Sequence, residues 1–197
     1  MGQKMKNCCW GQSDKYFSDW SKDACYLAYE VQRIGSSQFG IWILPMGASR
    51  QSNGQKPFPF LQTEFNEVNA VFSPDRRWIA YHSNESGRDE VYIRPFPGPS
   101  GKWQVSTTGG SRPRWRGDEK ELFFVMDNNL MAAPIKLNTA TVEVGRVQTL
   151  FQFNTNNILR NRDMYDVTRD GQKFLLCLRP KIILPPRSRW GWTGWER

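Results

Sequence analysis

Three arginines alternate in the stretch S-R-P-R-W-R, at Arg112, Arg114 and Arg116. In an extended strand, residues two apart share one face. Three guanidinium groups on one face would form a clamp for a phosphate or carboxylate ligand. The competing reading pairs them with neighbouring acids such as Asp118 and Glu119. Catalytic groups are scarce beside them. His82 is the only histidine, and no G-x-S-x-G nucleophile elbow occurs, so a Ser/His/Asp hydrolase would have one candidate base. It follows Tyr81 in a strand-like run, where a side chain on the sheet surface is expected. The G-P-S-G-K stretch ending at Lys102 has neither the spacing nor the hydroxyl of a phosphate-binding Walker loop.

Metal chemistry fares no better. Asp23, Asp75, Asp118 and Asp170 stand tens of residues apart, whereas a calcium loop crowds several oxygen ligands into a short segment. A turn-stabilising role is expected for each. Asp127-Asn128-Asn129 is the densest oxygen cluster and lacks that loop spacing. The cysteines, Cys8, Cys9, Cys25 and Cys177, include no pair at zinc-knuckle or redox spacing. Cys25 and Cys177 fall in apolar runs, where a thiol packs as a small hydrophobe. Neither a metal, a cofactor nor a disulfide framework is expected.

The elements that must position these residues come from a repeat. Four stretches align on the aspartates: D-W-S-K-D-A-C-Y-L-A-Y (19–29), V-F-S-P-D-R-R-W-I-A-Y (71–81), R-W-R-G-D-E-K-E-L-F-F (114–124) and D-V-T-R-D-G-Q-K-F-L-L (166–176). The aspartates are separated by 52, 43 and 52 residues. Three residues before each lies Trp20, Phe72, Trp115 or Val167, and an apolar run follows each. The unit is a β-hairpin: an apolar strand, a tight turn, a returning strand. Asn128-Asn129 reads as a further hairpin turn. Third runs follow at 40–44, 90–94 and 130–136, and fourth runs at 57–61, 102–106 and 142–151. Four strands per unit, with no sustained helical period, point to an all-β chain: a β-propeller of about four blades, each a four-stranded antiparallel sheet. The expected units are 17–63, 64–110, 111–157 and an incomplete 158–178, after an N-terminal segment 1–16.

Composition agrees. The chain has 197 residues, 39% hydrophobic, with nine Trp, enough for a core. Its longest apolar runs fall far short of the roughly 20 residues of a spanning helix, so no membrane segment is expected. No apolar h-region follows the charged start. The cytoplasm is the expected location, unless the chain is cut from a longer secreted or membrane protein. The net charge of +8 is uneven: residues 1–157 carry 18 basic and 15 acidic side chains, and 158–197 carry 9 and 4. The basic tail, 179–197, joins Arg187 and Arg189 to Trp190, Trp192 and Trp195. Such a mixture can stack nucleic-acid bases, but a solvated tail is the expected role.

The S-P-D turn with W-I-A-Y, followed by S-N-E-S-G-R, V-Y-I-R-P-F-P-G-P and K-W-Q-V-S-T-x-G-G, resembles the TolB-like (WD40-like) propeller repeats of bacterial proteins. It is most similar to the propeller region that follows the kinase domain in some bacterial serine/threonine protein kinases. The resemblance covers residues 17 to about 178 and implies a non-catalytic module that senses or binds a protein or small-molecule partner. The H-R-D and D-F-G elements of a kinase are absent. Family rings generally have six or more blades, so the resemblance marks a fragment or truncated relative. The family turn reads Ser-Pro-Asp-Gly. Here only Gly171 keeps the glycine, and Ala24, Arg76 and Glu119 replace it. Retaining a left-handed backbone at those residues would cost about 1–2 kcal/mol each. A chain of four units exposes the faces of its end blades, so self-association is expected. The alternative function is an accessory propeller of a larger enzyme, a serine/threonine kinase or serine peptidase.

Overall fold

A computed structural model of the chain describes residues 13–46, 56–98, 101–138, 141–153 and 165–176. Cys8, Cys9, Cys177 and the basic tail lie outside the described residues. Fifteen strands and no helix occur among the described residues. The first sheet runs β1 (Lys15–Trp20), β2 (Tyr26–Gln32), β3 (Phe39–Pro45) and β4 (Phe58–Leu61). The second runs β5 (Glu67–Phe72), β6 (Trp78–Ser83), β7 (Glu90–Pro95) and β8 (Trp103–Gln104). The third contains β9 (Ser111–Trp115), β10 (Glu121–Met126), β11 (Asn129–Leu137), β12 (Val142–Val144) and β13 (Gln148–Gln152); β14 (Tyr165–Val167) and β15 (Phe174–Leu176) form the fourth. Every pairing is antiparallel between neighbours, and the sheets follow one another as blades of a small or partial propeller rather than closing into a barrel.

Two expectations need correction. The run 142–151 is not one strand. Its ends, β12 and β13, pair separately with β11 along the same edge, making the third sheet five-stranded. The break falls where Pro134 has no amide for the ladder and Gly145 instead donates its N–H to the Pro134 carbonyl at 2.8 Å. The β10–β11 hairpin turns at Asp127-Asn128 rather than Asn128-Asn129, because Met126 pairs with Asn129 and Asp127 takes φ +52°.

Each interface between neighbouring blades is a separate apolar core. Ala28, Ile41 and Ile43 of the first blade meet Phe72, Ile79 and Tyr81 of the second. Trp78, Ala80 and Ile93 meet Trp115, Leu122 and Phe124 of the third. Phe123, Val125 and Leu130 meet Tyr165, Val167 and Phe174 of the fourth. Period-two alternation explains this: neighbouring residues such as Phe123 and Phe124 supply opposite faces of one blade.

The recurring aspartate does the turn work expected of it. Asp23, Asp75, Asp118 and Asp170 accept the amide two residues ahead, from Cys25, Arg77, Lys120 and Gln172, at 3.1, 2.9, 3.2 and 3.0 Å. In three turns a hydroxyl two residues earlier, from Ser21, Ser73 or Thr168, donates to the same carboxylate. The next residue is left-handed in all four: Ala24 (φ 56°), Arg76 (64°), Glu119 (65°) and Gly171 (72°). The non-glycine residues thus retain the conformation that glycine adopts freely.

Two of them repay the strain. Arg76 forms an ion pair with Asp23 of the preceding turn, and Glu119 accepts the Asp75 amide at 2.5 Å. The turns, far apart in sequence, therefore touch in series. Ala24 is exposed and makes no such contact. Ala24→Gly should therefore raise stability by about 1 kcal/mol in urea unfolding. Arg76→Gly should gain less, because it also removes the pair with Asp23.

Cys25 corrects its expectation. It is half-buried at the end of the first turn, not within a strand core, with its Sγ 3.6 Å from the Asp23 carbonyl. Its bond to the Asp23 side chain raises the thiol pKa, the opposite of activation.

Candidate functional site

The innermost strands β1, β5, β9 and β14 converge on a cavity of about 520 Å³. Four residues before each turn aspartate stand Asp19, Val71, Arg114 and Asp166, and all four line it. Lys22, Trp20, Trp115, Tyr165 and Arg169 complete the part of the wall that bears chemistry. Neighbouring repeats therefore contribute −, neutral, + and − side chains at one level.

Asp19 is the anchor. Its Oδ2 accepts the Phe72 amide at 2.8 Å, tying the first blade to the second. Burial raises its pKa, opposed by that bond, the Trp20 amide and the Arg114 charge; Asp166 adds to the rise. Arg114 lies with its guanidinium carbon 5.9 Å from the centre of the Tyr165 ring and donates to the Pro113 carbonyl at 2.9 Å. Tyr165 is buried, and its hydroxyl donates to the Arg112 carbonyl at 2.9 Å. Trp115 donates its indole N–H to the Val71 carbonyl at 3.3 Å, fixing the cavity floor between the second and third blades.

The three arginines do not share a face. Phe123 pairs with Arg114 and Val125 with Ser111, so Arg112 and Pro113 together oppose one residue of β10. This is a β-bulge with Arg112 left-handed at φ 54°. The bulge breaks the alternation: among the three, only Arg114 reaches the cavity. Arg116 pairs with Asp118 at 3.3 Å and Glu121 at 2.9 Å. The Arg112 amide donates to His82 Nδ1 at 3.4 Å.

The second blade carries the same bulge at Asn69 (φ 52°), with Val68 and Val71 flanking the register shift. Its amide donates to Glu30 Oε1 at 2.8 Å. Glu30 and His82 each stand seven residues after a turn aspartate, so one repeat position accepts the bulge N–H of the following blade. His82 is therefore not a surface side chain. It is buried at 6% exposure, and burial, then the Arg112 charge, lowers its pKa to about 3. A neutral ring keeps its Nδ1 lone pair for the Arg112 amide.

The cavity holds two hydroxyls on its lining serines, both engaged. Ser18 donates to Glu30 at 3.0 Å, and Ser73 serves Asp75 and the Trp78 amide. No histidine lines it. Among the described residues no group of three or more His, Cys, Asp or Glu is placed to hold a metal, and no helix is long and apolar enough to cross a membrane. The wall offers charge pairing, hydrogen bonding and aromatic contact. Of these wall residues, the sequence reading singled out Arg114 and passed over Asp19 and Asp166, although both open the aligned stretches. The signal was the alignment column itself.

No protein-family model matches the chain, and no curated protein sequence matches it. Solved structures do share its fold. TolB from Acinetobacter baumannii aligns over 86% of this chain and 39% of its own, at 15% identity and a TM-score of 0.57. A protein from Agrobacterium tumefaciens provisionally assigned as TolB aligns over 74% and 52%, at 18% identity and 0.51. A protein from Bacteroides fragilis provisionally assigned as a 6-phosphogluconolactonase aligns over 85% and 48%, at 14% identity and 0.53. The chain thus spans between 39% and 52% of the length of these proteins. The fold is a partial β-propeller, distantly similar to TolB and to the other propellers named.

Proposed function

We propose that the chain is a non-catalytic binding module whose protein or small-molecule ligand seats in the cavity between the innermost strands. The observation that carries this reading is the convergence of Asp19, Arg114 and Asp166 beside Trp20, with no histidine or unengaged serine among them. Charged groups of both signs around a half-exposed indole recognise polar segments with an apolar or aromatic anchor.

The test is selection of phage-displayed random peptides on the purified chain. Binders are expected to lose tenfold or more in affinity on Arg114→Ala, about 1.4 kcal/mol, and to keep it on Arg77→Ala, which alters an exposed turn. Binders indifferent to Arg114→Ala would move the site elsewhere. The lactonase assignment of one similar fold sets the enzymatic control. Hydrolysis of 6-phosphogluconolactone by the purified chain, absent from an Asp19→Asn variant, would overturn the non-catalytic reading.

A second reading rests on the partial coverage of the matched structures. The chain would then be the accessory propeller of a larger enzyme, a serine/threonine kinase or a serine peptidase. The reading frame around its gene decides: a kinase domain upstream or a G-x-S-x-G domain downstream would establish it.

A further inference from the structure

The cavity carries opposite charge at its two levels. The deep level is the ring of residues four before each turn aspartate, where the carboxylates of Asp19 and Asp166 outnumber the single guanidinium of Arg114. The mouth is the ring immediately before the aspartates: Lys22, Pro74, Gly117 and Arg169, all of which line the cavity. That ring holds two cations and no acid. Gly117 donates its amide to the Arg169 carbonyl at 2.9 Å, and a Cβ at residue 117 would collide with Arg169 Cγ. Glycine there lets the arginine stem lie across the third turn, at the mouth.

The two mouth cations differ from the other turn arginines. Arg76, Arg77 and Arg116 are each paired with a turn aspartate, Asp23, Asp75 and Asp118. Lys22 and Arg169 are exposed, and among the described residues neither side chain has an ion pair or a hydrogen bond. The rest of the chain does not supply the missing acids. Of its 19 acidic side chains 17 belong to the described residues, leaving only Asp163 and Glu196 beside 10 basic ones. Whatever part of that remainder lies near the mouth, its charge is positive on balance.

We infer that the mouth is an oxyanion clamp, in which Lys22 and Arg169 hold a carboxylate or phosphate group of the ligand while its other, cationic end faces Asp19 and Asp166. The inference rests on the cavity being the binding site and adds the class of ligand that it takes. Three residues of extended chain separate the two levels, about 10 Å. An extended tripeptide with free ends spans about the same distance between its ammonium and its carboxylate. The site therefore suits a short dipolar ligand entering with its anionic end last. Both cations are exposed, so salt screens their hold on the anion.

Calorimetric titration of the full chain with alanyl-phenylalanyl-alanine, its C-terminal amide and phenyl phosphate tests it. The tripeptide is expected to bind about fivefold more tightly than its amide, and Lys22→Gln and Arg169→Gln each to weaken it about threefold to fivefold, as exposed ion pairs allow. Raising the salt from about 50 to about 500 mM should weaken the acid and leave the amide nearly unchanged. Lys173→Gln removes a charge from the same hairpin outside the cavity and should bind as wild type. Phenyl phosphate bound more tightly than the tripeptide, and weakened by the same two variants, would support the clamp and assign it to phosphate. No binding of either anion, equal binding of acid and amide, or wild-type binding by both variants would overturn the clamp. If peptide binding is then still lost on Arg114→Ala, the cavity remains the site; indifference to Arg114→Ala as well would remove both readings.

Discussion

Phe123→Ala is expected to cost about 3–5 kcal/mol in stability and to release the fourth blade before the rest unfolds. Phe123 is 1% exposed and meets Phe174 edge to face, with centroids 5.1 Å apart. The fourth blade has two described strands, and a lone two-stranded hairpin is marginal in water. Its order therefore depends on the core it shares with the third blade. Two hydrogen bonds join the same blades: the Tyr165 hydroxyl donates to the Arg112 carbonyl at 2.9 Å, and the Gly117 amide donates to the Arg169 carbonyl at 2.9 Å. The latter needs glycine, because a Cβ at residue 117 would come within 2.5 Å of the same carbonyl oxygen. Amide exchange should show residues 165–176 losing protection first in Phe123→Ala, with residues 67–95 protected to the global limit. Phe123→Leu, which keeps most of the volume, should cost under about 1.5 kcal/mol. Uniform loss of protection across all blades would show that the fourth blade is not a separate unit.

The second large effect is a pH dependence centred on His82. The unfolded imidazole titrates near 6.5 and the buried one near 3. Between those values the unfolded chain binds a proton that the folded chain refuses. The stabilisation is complete above about pH 6.5 and declines as pH falls, by about 1.4 kcal/mol per unit for one proton. From pH 6.5 to pH 5 the loss is about 2 kcal/mol. Burial raises the pKa of Glu67 and Asp19, despite their hydrogen bonds and nearby arginines. Those groups act in the opposite sense, gaining stability as pH falls through the raised values. The comparison must therefore be with His82→Asn, whose side-chain oxygen can still accept the Arg112 amide. Urea unfolding of the two proteins should show the difference in slope between pH 7 and pH 5. Parallel curves would mean that His82 protonates in the folded state.

The fold was legible because the turn chemistry repeats. An Asp turn with an apolar strand on either side recurs in register at all four places, and in three of them a hydroxyl residue stands two positions before the Asp. The bulges were not legible. Asn69 and Arg112 sit in stretches that read as ordinary alternating strands, and nothing in the residue types announces a left-handed backbone there. That one insertion rotates Arg112 out of line with Arg114 and dissolves the expected clamp. His82 was misplaced for a related reason. Its burial depends on a partner amide 30 residues away, which a local reading of Y-H-S cannot see. Asp19 and Asp166 needed only a comparison of the first aligned column, where three of the four residues are charged.

The acceptor seven residues after the turn aspartate has a consequence for the order of the repeats. Glu30 receives Asn69 and His82 receives Arg112, so each of the first two blades carries a socket whose charge suits its successor. The carboxylate socket meets an uncharged side chain, and the neutral imidazole socket meets a cationic one. Exchanging the first two hairpins in a shuffled gene would bring each socket to a different amide and a different charge. The first two blades are addressed as well as stacked, and the address is written in side chains that do not line the cavity.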